Sequence, residues 1–111
     1  MGDAIYETHI REYLISQKIA NVNDLQKKAT SYVSAKGQAF YLQKMIEQNF
    51  LTEPELAVVQ RGRNHKGTRH PKNTDIITYK YATGLEALIG HLYFQKNQNR
   101  IDEIMQFIIG E

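Results

Sequence analysis

Acids stand where the pattern calls for apolar residues. On a helical wheel Asp3 falls close to the stripe of Ile10 and Leu14, and Glu7 follows one turn later on nearly the same line. Glu86 shares a face with Ala82, Ile89, Gly90 and Tyr93, and the small residues one turn to either side leave room for another helix to approach. A carboxylate is rarely buried unless it is paired or holds a cation, because desolvating it alone costs several kcal/mol. The chemistry that suits such acids, if they converge, is binding of a hard divalent ion such as magnesium. That ion takes oxygen ligands, keeps several waters, and shares its remaining positions with substrate phosphates. It activates water and neutralises charge on a departing oxygen. Two structural readings stay open beside this one: Asp3 as a favourable charge at a helix N-terminus, and Glu86 as the partner of a buried arginine or lysine. Asp24, Glu47, Glu53 and Glu103 read as solvated helix residues.

A second group points to phosphate. Residues 61–73 carry Arg61, Arg63, Lys66, Arg69 and Lys72 with His65, His70, Asn64 and Asn73, and no acid. Arginine and lysine side chains on phosphates release counterions and supply most sequence-independent affinity for nucleic acid. Gly62 and Gly67 let backbone come close to a phosphate, and arginine can fork onto one. The net charge of +2 conceals this concentration. The histidines are too irregularly spaced for a zinc site, and phosphate-cradling glycine loops and serine-nucleophile motifs are missing.

Helices must position these groups. The segment from Gly2 to about Lys18 has Tyr6, Ile10, Tyr13 and Leu14 on one stripe. Asn21 or Asn23 reads as the cap of a segment beginning at Asp24, with a break expected near Ser31 and a helical pattern continuing through Ala39, Leu42, Met45 and Ile46. Thr52-Glu53-Pro54-Glu55 is a capping box opening a short helix. The basic stretch reads as a loop, a longer helix follows from Asp75 or Thr78 to Phe94, and Ile101 to Ile109 forms a last one. No segment alternates as a strand, so the expected class is all-α. At 111 residues without cysteine, the chain suits one domain and one core, with neither disulfides nor thiolate chemistry. No apolar run is long enough to span a membrane and no basic leader opens the chain, so the expected location is the cytoplasm.

Gly2-Asp3-Ala4-Ile5-Tyr6-Glu7 resembles one signature of the ribonuclease III domain, and Tyr81-Ala82-Thr83-Gly84-Leu85-Glu86-Ala87-Leu88-Ile89-Gly90 resembles the other. Between them, Val33-Ser34-Ala35-Lys36-Gly37-Gln38-Ala39, Arg61-Gly62-Arg63-Asn64 and Pro71-Lys72-Asn73-Thr74-Asp75 are similar to Mini-ribonuclease III in particular. The resemblance implies a ribonuclease III-type helical domain over residues 1–111, a homodimer with no separate RNA-binding domain, and magnesium-dependent cleavage of double-stranded RNA in maturation of the large-subunit (23S) ribosomal RNA precursor. It places Asp3 and Glu86 on the two essential, metal-holding acids and makes Glu7 an outer-shell helper. Arg61, Arg63, Asn64, Lys66, Arg69, Lys72 and Asn73 become the RNA-binding set. Larger ribonuclease III enzymes carry an aspartate where this chain has Thr83. Members also have an apolar helical stretch upstream of the catalytic aspartate, so part of the first helix is expected to be missing before Met1. That start favours one alternative, an inactive module of the same fold that binds double-stranded RNA without cutting it.

Overall fold

The computed structural model describes residues 2–16, 22–64 and 75–109. Among them are six helices and no strand: α1 (Gly2–Ser16), α2 (Val22–Val33), α3 (Ala35–Glu47), α4 (Glu53–Arg63), α5 (Ile76–Phe94) and α6 (Gln98–Ile109). The all-α expectation holds.

Side-chain caps set most of the helix starts. Ser34 accepts the Gly37 amide at 3.1 Å and opens α3. The Thr52–Glu55 capping box forms in both directions, at 3.3 and 2.9 Å, and opens α4. Asp75 accepts the Thr78 amide at 2.8 Å and opens α5. Asn97 accepts the Arg100 amide at 3.2 Å, so α6 begins at Gln98, earlier than the apolar pattern suggested. The break between α2 and α3 falls at Ser34 rather than near Ser31, because the serine that can cap decides it. Asn23 lies within the bounds of α2, while Asn21 falls outside the described residues. α3 and α5 end alike: Asn49 (φ 55°) and Lys96 (φ 58°) turn left-handed, and the following amides reach back to Met45 O and Leu92 O at 2.9 Å.

α5 is the central element and packs on α4, α3, α1 and α6. It buries Ala82, Leu85, Leu88, Ile89 and Leu92, more than one face of the helix, as a surrounded helix must. Tyr6, Ile10 and Leu14 of α1, Leu42 and Met45 of α3, and Ile101, Ile104, Met105 and Ile108 of α6 complete the core. Truncating one of these to alanine costs about 2–5 kcal/mol. The buried Tyr6 hydroxyl donates to Tyr32 O at 2.9 Å, tying α1 to the end of α2, and burial pushes its pKa well above the usual range.

Candidate active site

The first turn of α1 meets α5 through backbone. Gly2 is buried, and a Cβ added there would run into the Glu86 carbonyl and lie 2.9 Å from Gly90 N. A second close approach brings α4 onto α5: a Cβ on Gly62 would lie 2.7 Å from the Ala87 Cβ, and one on Gly84 would lie 3.1 Å from Val59 O. Glycines at these crossings hold three helix segments together around one opening.

That opening is a cavity of about 540 Å3 lined by Asp3, Arg61, Thr83, Glu86, His91 and Phe94 among others. The two acids, more than eighty positions apart in the chain, are therefore neighbours. Asp3 is exposed and accepts the Ala4 amide at 2.8 Å. The wheel reading that grouped it with Ile10 and Leu14 needs correcting on this point: those residues are buried, whereas Asp3 is exposed and lines the cavity. Glu86 is half-buried. Burial and the neighbouring Asp3 charge push its pKa up, against a hydrogen bond from Gln38 that favours the charged form. No salt bridge to Glu86 forms among the described residues, unlike the alternative in which a buried arginine pairs with it.

The other expected site residues separate. Arg61 is exposed at the cavity wall. Arg63, one of the expected phosphate contacts, is half-buried; its guanidinium lies 4.4 Å over the Tyr81 ring and its stem passes Gly84. Asn64 is exposed and forms the C-cap of α4. Glu7 points to solvent and pairs with Arg11 at 3.7 Å, away from the cavity lining. Lys66, Arg69, Lys72 and Asn73 lie outside the described residues.

Gln38, His91 and Phe94 belong to or border the site without having been singled out for it, and Thr83, noted in the sequence only as the place of a missing aspartate, lines the cavity. Gln38 had a readable signal, since it falls on the apolar stripe of Leu42 and Met45, the same kind of misplacement that marked Asp3 and Glu86. Phe94, 72% exposed at the cavity rim, had none.

Among the described residues no group of three or more acids or histidines gathers as a metal cage. The donor set is two carboxylates at an open cavity. Their mutual repulsion is what a cation would relieve, and a pair of acids fits an ion that keeps waters and takes substrate oxygens. It does not fit one that needs a full protein shell.

The ribonuclease III domain family matches residues 1–97, and the chain belongs to that family, a class of endoribonucleases. It is 44% identical over 109 residues to the Mini-ribonuclease 3 of Enterococcus faecalis, covering 98% of this chain and 83% of that one. It is 47% identical over 106 residues to the Mini-ribonuclease 3 of Brevibacillus brevis, covering 96% and 78%. A crystal structure of a protein from Fusobacterium nucleatum superposes with a TM-score of 0.84 at 36% identity, covering 98% of this chain and 85% of that one.

Proposed function

We propose that this chain cuts double-stranded RNA with magnesium held by Asp3 and Glu86. The observation that carries the reading is the meeting of these two acids at one cavity in a ribonuclease III-type fold. Magnesium, when bound, supplies activation of a water molecule and neutralisation of charge at the scissile phosphate. Asp3 and Glu86 supply the negative charge that keeps it there. Arg61, on the same wall, binds an RNA phosphate beside the cut. Arg63, Asn64, Lys66, Arg69, Lys72 and Asn73 extend the phosphate and sugar contacts, a mode suited to duplex RNA, which is recognised largely by shape and backbone.

The reading includes a homodimer, since a two-fold axis sets one site against each antiparallel strand. The large apolar side chains left exposed at Phe40, Ile76 and Ile77 support it, as surface a second copy would cover. It also includes the cytoplasm as place, the expectation drawn from the sequence, and the 23S ribosomal RNA precursor as substrate, which rests on the family resemblance.

The test is cleavage of an end-labelled RNA duplex with magnesium and with chelator. Asp3→Asn and Glu86→Gln are each expected to lower the rate by more than about 100-fold, since even outer-shell partners of a metal are worth about 10–100-fold. Cleavage that survives both substitutions, or that proceeds in chelator, removes the proposed site. In the same assay Arg61→Gln should weaken duplex binding and reduce the slope of log K against log salt by about 1. An unchanged slope takes Arg61 out of phosphate contact.

A further inference from the structure

We infer that Tyr81 is a positioning residue for RNA binding: its ring seats the Arg63 guanidinium, so that an uncompensated positive charge meets an RNA phosphate with its plane already fixed. The inference rests on the reading of Arg63 as a phosphate contact. Arg63 is the last residue of α4, and its guanidinium carbon lies 4.4 Å from the centroid of the half-buried Tyr81 ring. Its stem runs past Gly84, where an added Cβ would stand 3.1 Å from Arg63 Cγ and 3.1 Å from Val59 Cγ1. A side chain at position 84 would therefore crowd the arginine out of its place. Nε is buried there without a hydrogen-bond partner among the described residues, while the residue as a whole is only half-buried. The inner edge of the guanidinium is shut in, and an outer nitrogen makes only an exposed contact, to Gln60 Oε1 at 3.5 Å.

No acid answers this charge: among the described residues Arg63 forms no salt bridge. Arg100 shows what a structural arginine does in this fold, closing on Glu55 at 2.7 Å. A ring face orients a guanidinium without neutralising it, because the attraction is to a quadrupole and not to a charge. Arg63 therefore stays available to an anion, and the fold leaves a buried Nε–H unpaired to keep it in place. Holding the plane beforehand also lowers the entropy lost when the fork closes on a phosphate. The adjoining helix crossing sets where this happens. Gly62 sits against α5, where a Cβ on it would lie 2.7 Å from the Ala87 Cβ. Arg61, just before it, lines the cavity of Asp3 and Glu86, whereas Arg63, just after it, stays out of that lining and turns to Tyr81. Tyr81 thus fixes the second of two separate anchor points for a duplex held by its backbone.

The experiment measures binding of a short RNA duplex to the full chain over a range of salt, in chelator so that no metal-dependent cutting intervenes. Arg63→Gln should weaken binding and reduce the slope of log K against log salt by about 1. Tyr81→Leu should weaken binding by about 3–10-fold, and Tyr81→Phe, which keeps the ring, by less than about 2-fold. Arg63→Lys should keep the slope and lose affinity, because an ammonium keeps the charge without the planar fork. In the Arg63→Gln background, Tyr81→Leu should have no further effect. Equal loss in both backgrounds means that Tyr81 acts through packing alone and overturns the inference, as does unchanged binding in Tyr81→Leu or in Arg63→Lys. A second measurement needs no substitution: the Arg63 Nε–H resonance should be shifted by the ring, slow to exchange, and remain so with saturating duplex. Loss of both on binding means that the guanidinium leaves the ring to reach RNA, and overturns the inference. An Arg63→Gln chain with unchanged affinity and slope defeats the reading of Arg63 as a phosphate contact, and this inference with it. A loss in Arg63→Gln that Tyr81→Leu does not share defeats only the present one.

Discussion

Glu55 and Glu86 are glutamates of neighbouring helices, both drawn away from water, and they have opposite fates. Arg100 forks onto Glu55, with Nε and an NH2 nitrogen each 2.7 Å from a carboxylate oxygen. The same guanidinium donates to Phe50 O at 2.8 Å and lies 4.6 Å over the Phe50 ring. Burial alone would raise the Glu55 pKa, but the hydrogen bonds from Arg100 and the Thr52 amide, with the Arg100 charge, bring it below the ordinary value. Glu86 has an acid and an amide for neighbours, and its pKa goes up. The lesson is that burial does not identify a functional acid. The sign of the charge left over does: the Glu55 corner is closed electrostatically, whereas the Glu86 corner holds excess negative charge at an open cavity, which is what a cation needs.

Breaking the closed corner should have the largest effect. Arg100→Met strands Glu55 with its side chain 10% exposed, and should cost about 3–5 kcal/mol in urea denaturation. Adding Glu55→Gln should recover much of that loss, since an uncharged partner no longer suffers desolvation. A loss under 1 kcal/mol for Arg100→Met, on the order of an exposed pair, would end the contrast.

Neutralising the open corner should do the reverse for stability. Glu86→Gln removes a charge that folding disfavours, so its melting temperature at neutral pH should equal or exceed that of the parent even as cleavage is lost. A clear drop in melting temperature would mean that the Glu86 carboxylate supports the fold.

The smallest effect is a pair of opposed pH slopes. Glu55 has a folded pKa below its ordinary 4.5, so its contribution to stability is present above that value and is lost as pH falls through the folded pKa. Glu86 has a folded pKa above 4.5, so its contribution is greatest below that value and is lost as pH rises through the folded pKa. In metal-free buffer, Glu86→Gln should remove a decline in stability on the upper side of 4.5, and Glu55→Gln should remove one on the lower side. Matching profiles for the two variants would show that the corners do not differ electrostatically.

Local chemistry was the legible part. The Thr52–Glu55 box and the all-helical pattern depend on residues a turn apart and appear as read, and of the two starts offered for α5, Asp75 and Thr78, Asp75 is the cap. The Arg100 fork on Glu55 was not legible, because it joins residues 45 positions apart and the capping box already accounted for that glutamate. For the site, the misplaced acids and the basic stretch were visible as oddities, and Gln38 would have been by the same criterion.

Residue pattern alone thus determined which groups are out of place for a packed helix, because side-chain direction repeats every turn and an acid on an apolar stripe is conspicuous without a partner in view. The tertiary structure alone decided what each acid meets. Glycine crossings at Gly2, Gly62 and Gly84 draw α1 and α4 against α5, bringing Asp3 and Arg61 to Glu86 and turning Arg63 onto Tyr81. Electrostatic fate follows distance through space, and in a bundle of helices that distance is set by which backbones can touch.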